Sequence, residues 1–244
     1  MYKKDGRKHK VSHIPARIDV IQSATGVLLA LFIAGHLLFE SSILFGKDAM
    51  LAMTRFFEGY YLFGDSYPWI ISLLAAAVSV LFVTHALTAL RKFPASYRQY
   101  RIYRQHMERM QHSDTSLWFW QVVTGFMMFF LGSVHLYMMM ANPADIGPYA
   151  SSDRMVGEWM WPLYLLLLFS VVLHAAIGFY RVVLKWGWFE GENPRANRIL
   201  LKKILTGMAW FYLLLGVLSL ATYVAIGIDH ADRAGERYHE EAHA

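Results

Sequence analysis

The stretch Trp159–Tyr180, WMWPLYLLLLFSVVLHAAIGFY, decides the fold. It runs 22 residues without a charge, and a helix needs about 20 apolar residues to cross a bilayer core. Near its end stands one histidine, His174. An imidazole suits a lipid-facing surface poorly, because its ring nitrogens need partners that hydrocarbon does not supply. Four further runs have the same character: Ile21–Phe39, Trp69–Leu90, Ser116–Ala141 and Ile204–Ile228. The first three carry one histidine each, His36, His85 and His135, and the last carries none.

The whole chain agrees with this reading. Of 244 residues, 56% are hydrophobic, and the mean hydropathy is +0.32. The first run lies behind a charged head of about twenty residues and precedes four more spans, so it reads as a retained span rather than a cleaved signal. The expected fold is all-α: a single domain, residues 1–244, with spans near 21–46, 67–91, 116–141, 159–186 and 202–228. There is no cysteine. That excludes disulfides, iron–sulfur ligation, thiolate-bound haem and CxxCH attachment. The formal charge of +5 does not point to nucleic acid, because the cations collect beside spans.

That clustering gives an orientation. Lys3, Lys4, Arg7, Lys8, Lys10 and Arg17 precede the first span. Arg91, Lys92, Arg98, Arg101, Arg104 and Arg109 follow the second, and Lys185, Arg195, Arg198, Lys202 and Lys203 follow the fourth. The other two connections hold few cations. The positive-inside rule therefore predicts a cytoplasmic N-terminus and an outer C-terminus. Pro68 and Pro162 suit first helical turns. Trp69, Trp118, Trp120, Trp159, Trp161, Trp186 and Trp188 gather near span ends as an aromatic belt. Gly26, Gly35, Gly125, Gly132 and Gly178 would admit a close backbone or a flat macrocycle. The polar segment Ala95–His112 is expected to extend span two as a cytoplasmic helix. The tail from Asp229 to Ala244 is expected to be loosely ordered, with no role. His9, His13, His106, His112, His230, His239 and His243 read as solvated or interfacial.

Neutral histidine is also a strong axial ligand for haem iron. A rise of about 1.5 Å per residue gives each intramembrane histidine a depth. His36 lies roughly 22 Å, and His135 roughly 28 Å, from the inner ends of their spans. His85 lies roughly 9 Å and His174 roughly 17 Å from theirs. The expected pairs are His36 with His135 in the outer half and His85 with His174 in the inner half. Two stacked b haems would then form a short chain across the membrane. A haem-free transporter using its histidines as a proton relay is the alternative from another class.

Five spans, a histidine in each of the first four, and separations of 49, 50 and 39 residues between them resemble the di-haem cytochrome b subunit of fumarate reductases and succinate dehydrogenases. The resemblance covers about Arg17 to Gly227. It implies a menaquinol-oxidising anchor in a bacterial cytoplasmic (inner) membrane, with a periplasmic C-terminus. It also implies two partners on the cytoplasmic face, a flavoprotein with covalently bound FAD and an iron–sulfur subunit. Electrons from menaquinol would reduce fumarate to succinate on the flavoprotein. A dimer of such heterotrimers stays open. So does the direction, since a succinate:menaquinone reductase has the same architecture. Cytochrome b subunits of hydrogenases and formate dehydrogenases are a further alternative, differing in span number and histidine placement.

The same resemblance assigns roles. Glu58, in the segment RFFEGYY at 55–61, matches a glutamate beside the quinol, and a carboxylate in an aromatic setting can act as a general base. Gln22, Ser23, Trp118 and Lys185 match residues that hold the inner haem's propionates, and Arg154 matches one near the outer haem. One position departs. Some relatives carry a proton-conducting glutamate two residues before the last histidine, and here it is Val172. Either compensating protons take another route, or quinol oxidation is electrogenic. Glu40 lies on the wrong helix to substitute.

Overall fold

The computed structural model describes residues 12–239 except Pro94, Gln111, His112 and Glu190. The cations Lys3 to Lys10, together with His9, His112 and His243, lie outside the described residues. Among the described residues the regular structure is entirely helical. The helices are α1 (Ile14–Glu40), α2 (Lys47–Phe57), α3 (Tyr60–Phe63), α4 (Trp69–Leu90), α5 (Tyr97–Met110), α6 (Ser113–Ala141), α7 (Pro148–Gly157), α8 (Trp161–Trp186) and α9 (Pro194–Asp229). Of these, α1, α4, α6, α8 and α9 are long and apolar enough to cross a membrane.

Local chemistry explains their limits. Proline stands in the first turn of α1, α7, α8 and α9, where a missing N–H costs little. The Asn193 side chain caps α9 by accepting from the Ala196 N–H at 3.2 Å. Helix α8 stops at Gly187, which takes a left-handed φ of 66°. Within the spans, hydroxyls bond back to carbonyls four residues earlier, as Ser79 does to Ala75 and Thr84 to Val80. That satisfies a polar group where water is absent. Leu31, Val80, Leu87 and Leu214 point outward, between 62% and 66% exposed, as lipid-facing side chains do.

The polar segment after α4 is helical but does not extend it. Helix α4 ends at Leu90, and turns through Lys92 and Phe93 separate it from α5. The sequence Phe93-Pro94 accounts for the break, because proline removes a donor and disfavours helical backbone in the residue before it.

Helix α1 packs on α4 and α8, α4 on α6, and α6 on α8. The four histidine-bearing helices thus close a ring in which α1 stands diagonally across from α6, and α4 from α8. Helix α9 lies outside this ring, against α8, α7 and α1. Buried apolar side chains concentrate in that outer seam. Leu168, Val171 and Val172 of α8 meet Leu213 of α9, with Ile33 and Leu37 of α1 beside them. Tyr180, Val183 and Leu201 form a cluster at one end, and Ile43, Met50, Met155 and Tyr223 one at the other. Inside the ring, large apolar side chains such as Phe82 and Met128 stand beside small and polar ones such as Gly125 and Gln22.

Candidate functional site

The diagonal order brings the histidines together in two pairs. The rings of His36 on α1 and His135 on α6 have centroids 6.0 Å apart. Those of His85 on α4 and His174 on α8 are 6.3 Å apart. A metal–imidazole bond is about 2 Å, and a ring nitrogen lies about 1 Å from its ring centre, so two imidazoles on opposite sides of one metal have centroids about 6 Å apart. Both pairs meet that spacing.

The pair expected toward the inner face, His85 and His174, is held by one device used twice. His85 Nδ1 lies 3.1 Å from the Gln22 carbonyl and 3.3 Å from the Thr25 hydroxyl. His174 Nδ1 lies 3.0 Å from the Gln121 carbonyl and 3.4 Å from the Thr124 hydroxyl. Each threonine already donates its hydrogen to a carbonyl four residues back, of Ile21 or Trp120. Both neighbours of Nδ1 therefore accept, and Nδ1 carries the proton. The lone pair is left on Nε2, as a metal ligand requires. Glycine completes the device. A Cβ on Gly26 would come 2.8 Å from His85 Cε1, and one on Gly125 would come 2.9 Å from His174 Cε1.

The sequence signal for this device is a repeat that the reading above missed. Gln22-x-x-Thr25-Gly26 recurs as Gln121-x-x-Thr124-Gly125, and a histidine follows ten residues after each glycine, at His36 and His135. One helix thus braces an inner histidine and supplies an outer one.

A cavity of about 570 Å³ surrounds the inner pair, within the usual range for a bound organic group. Gln22, Ser23, Trp118 and Lys185 all line it with His85 and His174. Gln22 Oε1 is buried at its margin without a hydrogen-bond partner, an unmet polar atom within a residue that lines the cavity. Lys185 Nζ lies 3.5 Å from Ser23 Oγ and 3.5 Å from Asp19 Oδ2. Asp19 also pairs with Arg91 and with Lys92, the latter at 3.1 Å. Lys92 lines the cavity too, so the inner end has more positive charge than the expected residues supplied. Lys92 was legible only as a span-end charge, and Asp19 was not singled out.

The pair expected toward the outer face, His36 and His135, is built differently. The His36 ring stacks on Phe32 one turn earlier, with centroids 5.5 Å apart and planes at 8°. His135 Nδ1 lies 3.2 Å from the Tyr164 hydroxyl. Arg154, 6% exposed, faces that hydroxyl and donates to the Asp145 carbonyl. Arg154 therefore sits on the outer histidine pair's side of the molecule. Glu58 caps the C-terminus of α2 and is 8% exposed. Its neighbour Phe57 meets Phe39, three residues past His36, edge-on at 5.1 Å. The chain then turns at Gly59, left-handed at φ 81°. A Cβ there would collide with Phe63 and Ile70 at 2.8 and 2.9 Å, so the turn presenting Glu58 requires glycine.

Val172 is buried in the apolar cluster between α8 and α9. Two expectations fail at the outer end. His230 is not solvated: it is 1% exposed and paired with Asp153 at 2.9 Å. The tail has defined structure as far as His239, including a helical turn at Ala231–Arg233. A carboxylate and an aromatic ring on α7, far off in sequence, hold it there.

This is a membrane-spanning helical bundle organised around two histidine pairs at two levels. Residues 97–215 match the family of succinate dehydrogenase/fumarate reductase transmembrane subunits. The chain is 51% identical to the fumarate reductase cytochrome b subunit of Wolinella succinogenes over 225 residues, 92% of this chain and 88% of that protein. It is 45% identical to the subunit of the same name from Helicobacter pylori strain J99 over 223 residues, 91% of this chain and 86% of that protein. The chain belongs to the fumarate reductase cytochrome b subunits, the membrane anchors of the complex II family. Membership implies haem b, and flavoprotein and iron–sulfur partners that carry the catalysis.

Proposed function

We propose that this chain is the membrane anchor and electron-transfer subunit of a menaquinol:fumarate reductase in a bacterial cytoplasmic membrane, with its N-terminus in the cytoplasm and its C-terminus in the periplasm. His36 and His135 would hold one haem b toward the outer face, and His85 and His174 a second toward the inner face. Haem b supplies reversible one-electron transfer at each level. The observation that carries the reading is the spacing of the two pairs, 6.0 and 6.3 Å between ring centroids on diagonally opposed helices.

The chain's own residues do the rest. The Gln22 and Gln121 carbonyls accept from Nδ1 of His85 and His174 and so fix the ring orientation and the tautomer that leaves Nε2 free. Gln22, Ser23, Trp118 and Lys185 receive carboxylates at the inner end, and Arg154 does so at the outer end. Menaquinol gives up two protons as it is oxidised, and Glu58 accepts a quinol hydroxyl proton on its carboxylate oxygen. The basic connections after α4 and α8 form the docking face for the iron–sulfur subunit, and fumarate is reduced on the flavoprotein beyond it. Valine at 172 holds no proton, so quinol oxidation is either electrogenic or compensated by a route away from that position.

Haem quantification on the purified complex tests this directly. Two b haems per chain are expected, and one or none overturns the reading. Glu58→Gln is expected to abolish menaquinol oxidation at full haem content, and unchanged quinol activity removes Glu58 from the mechanism.

A further inference from the structure

The outer end holds a polar cluster that neither histidine pair uses. His230, at the end of α9, stacks on Tyr149 of α7 with centroids 3.9 Å apart and planes at 13°. Its Nδ1 faces one oxygen of Asp153 at 2.9 Å, and the other oxygen accepts from the Gly235 N–H at 3.0 Å. One carboxylate thus grips both the end of α9 and the segment beyond it. Further along, the Tyr238 hydroxyl donates to Asp48 Oδ1 at 2.6 Å, and its ring meets Tyr149 edge-on at 5.2 Å. Lys47 Nζ donates to the Tyr149 hydroxyl at 3.2 Å. It lies 5.0 Å from the Tyr149 ring centre and 5.5 Å from that of Tyr238.

These contacts converge on one place. Lys47 and Asp48 are the first two residues of α2, and Glu58 caps its other end. A helix of this length is a stiff rod about 16 Å long, so whatever sets its first turn also sets its last. Tyr238 to Asp48 is a charge-assisted hydrogen bond, the stronger kind, and it joins residues 190 positions apart in sequence. His230, Asp153 and Gly235 fix the tail where Tyr238 can reach.

We propose that the segment from His230 to Tyr238 is a strap that positions α2, and through it Glu58, at the outer quinol site. Tyr238 and Asp48 transmit the position, while His230 and Asp153 anchor the strap. All four are positioning residues. The inference rests on the reading of Glu58 as the residue beside menaquinol.

The test uses the whole complex with a soluble naphthoquinol as donor. Tyr238→Phe and Asp48→Ala should each raise KM for the quinol about fivefold, the worth of one hydrogen bond, with kcat within about twofold. The double variant should be no worse than either single one, since both remove the same contact. Asp48→Asn keeps the accepting oxygen without its charge and should bring KM back to within about twofold of the parent. Haem content, and fumarate reduction driven by a dye that feeds the soluble subunits directly, should not change. Glu58→Gln serves as the control. If it abolishes quinol oxidation while Tyr238→Phe and Asp48→Ala leave KM unchanged, the strap is overturned and the Glu58 reading stands. If Glu58→Gln keeps full activity, the reading beneath the strap falls and the strap with it. Loss of haem in Tyr238→Phe would mark a general structural role and also overturn the proposal.

Discussion

The inner and outer histidine pairs have nearly the same ring spacing and different supports. The inner rings are braced by backbone carbonyls, at Gln22 and Gln121, with threonine and glycine beside them in a repeated pattern. The outer rings lean on side chains: His36 on Phe32, and His135 on Tyr164, which Arg154 faces. Carbonyls in a hydrogen-bonded helix survive most substitutions, whereas a phenol or a phenyl ring can be removed by one. The inner site should therefore be vulnerable to added bulk and the outer site to lost side chains.

The largest effects come from the ligands themselves. Each of His36→Ala, His85→Ala, His135→Ala and His174→Ala should lose one of two haems by reduced-minus-oxidised spectroscopy. His36 and His135 should remove the same haem, and loss of different haems from these two would break the pairing. Next come the cradles. Gly26→Ala or Gly125→Ala sets a methyl within 3 Å of a ring carbon and should displace it, lowering occupancy of the inner haem alone. Equal loss of both haems would mean the two levels are not independent.

Tyr164→Phe removes the partner of His135 Nδ1 and should weaken outer haem retention about tenfold, in line with other partners of metal-binding histidines. The inner haem should be untouched. A potentiometric and occupancy titration showing no outer change would leave the tyrosine as mere packing. The smallest effect is expected for Thr25→Val or Thr124→Val. Each inner histidine keeps its carbonyl at about the same distance, so the loss should be under about 1 kcal/mol of haem affinity. A collapse of the inner site would show the hydroxyl, not the carbonyl, to be the main support.

Much of this was legible along the chain. Trp159–Tyr180 and its four counterparts announce spans, because bilayer thickness sets a length that sequence displays directly. Depth follows from helical rise, so His36 and His135 could be set at one level before any fold was known. What stayed hidden had specific causes. The Gln22 and Gln121 contacts run through main-chain carbonyls, which carry no residue identity. The repeat that marks them is visible only once its purpose is known. Lys92 read as a topology charge although it lines the inner cavity, because one cation serves both purposes.

The sequence by itself determined an all-helical membrane protein with four histidines at two depths, since hydrophobic length and helical rise are one-dimensional properties. Only the tertiary structure decided that α1 faces α6 and α4 faces α8 across the ring, because packing order depends on which surfaces meet in three dimensions. The same holds for the tail. Its polar composition suggested a loose end, yet His230 is buried against Tyr149 and Asp153. A polar segment becomes ordered when partners elsewhere in the chain meet its hydrogen bonds.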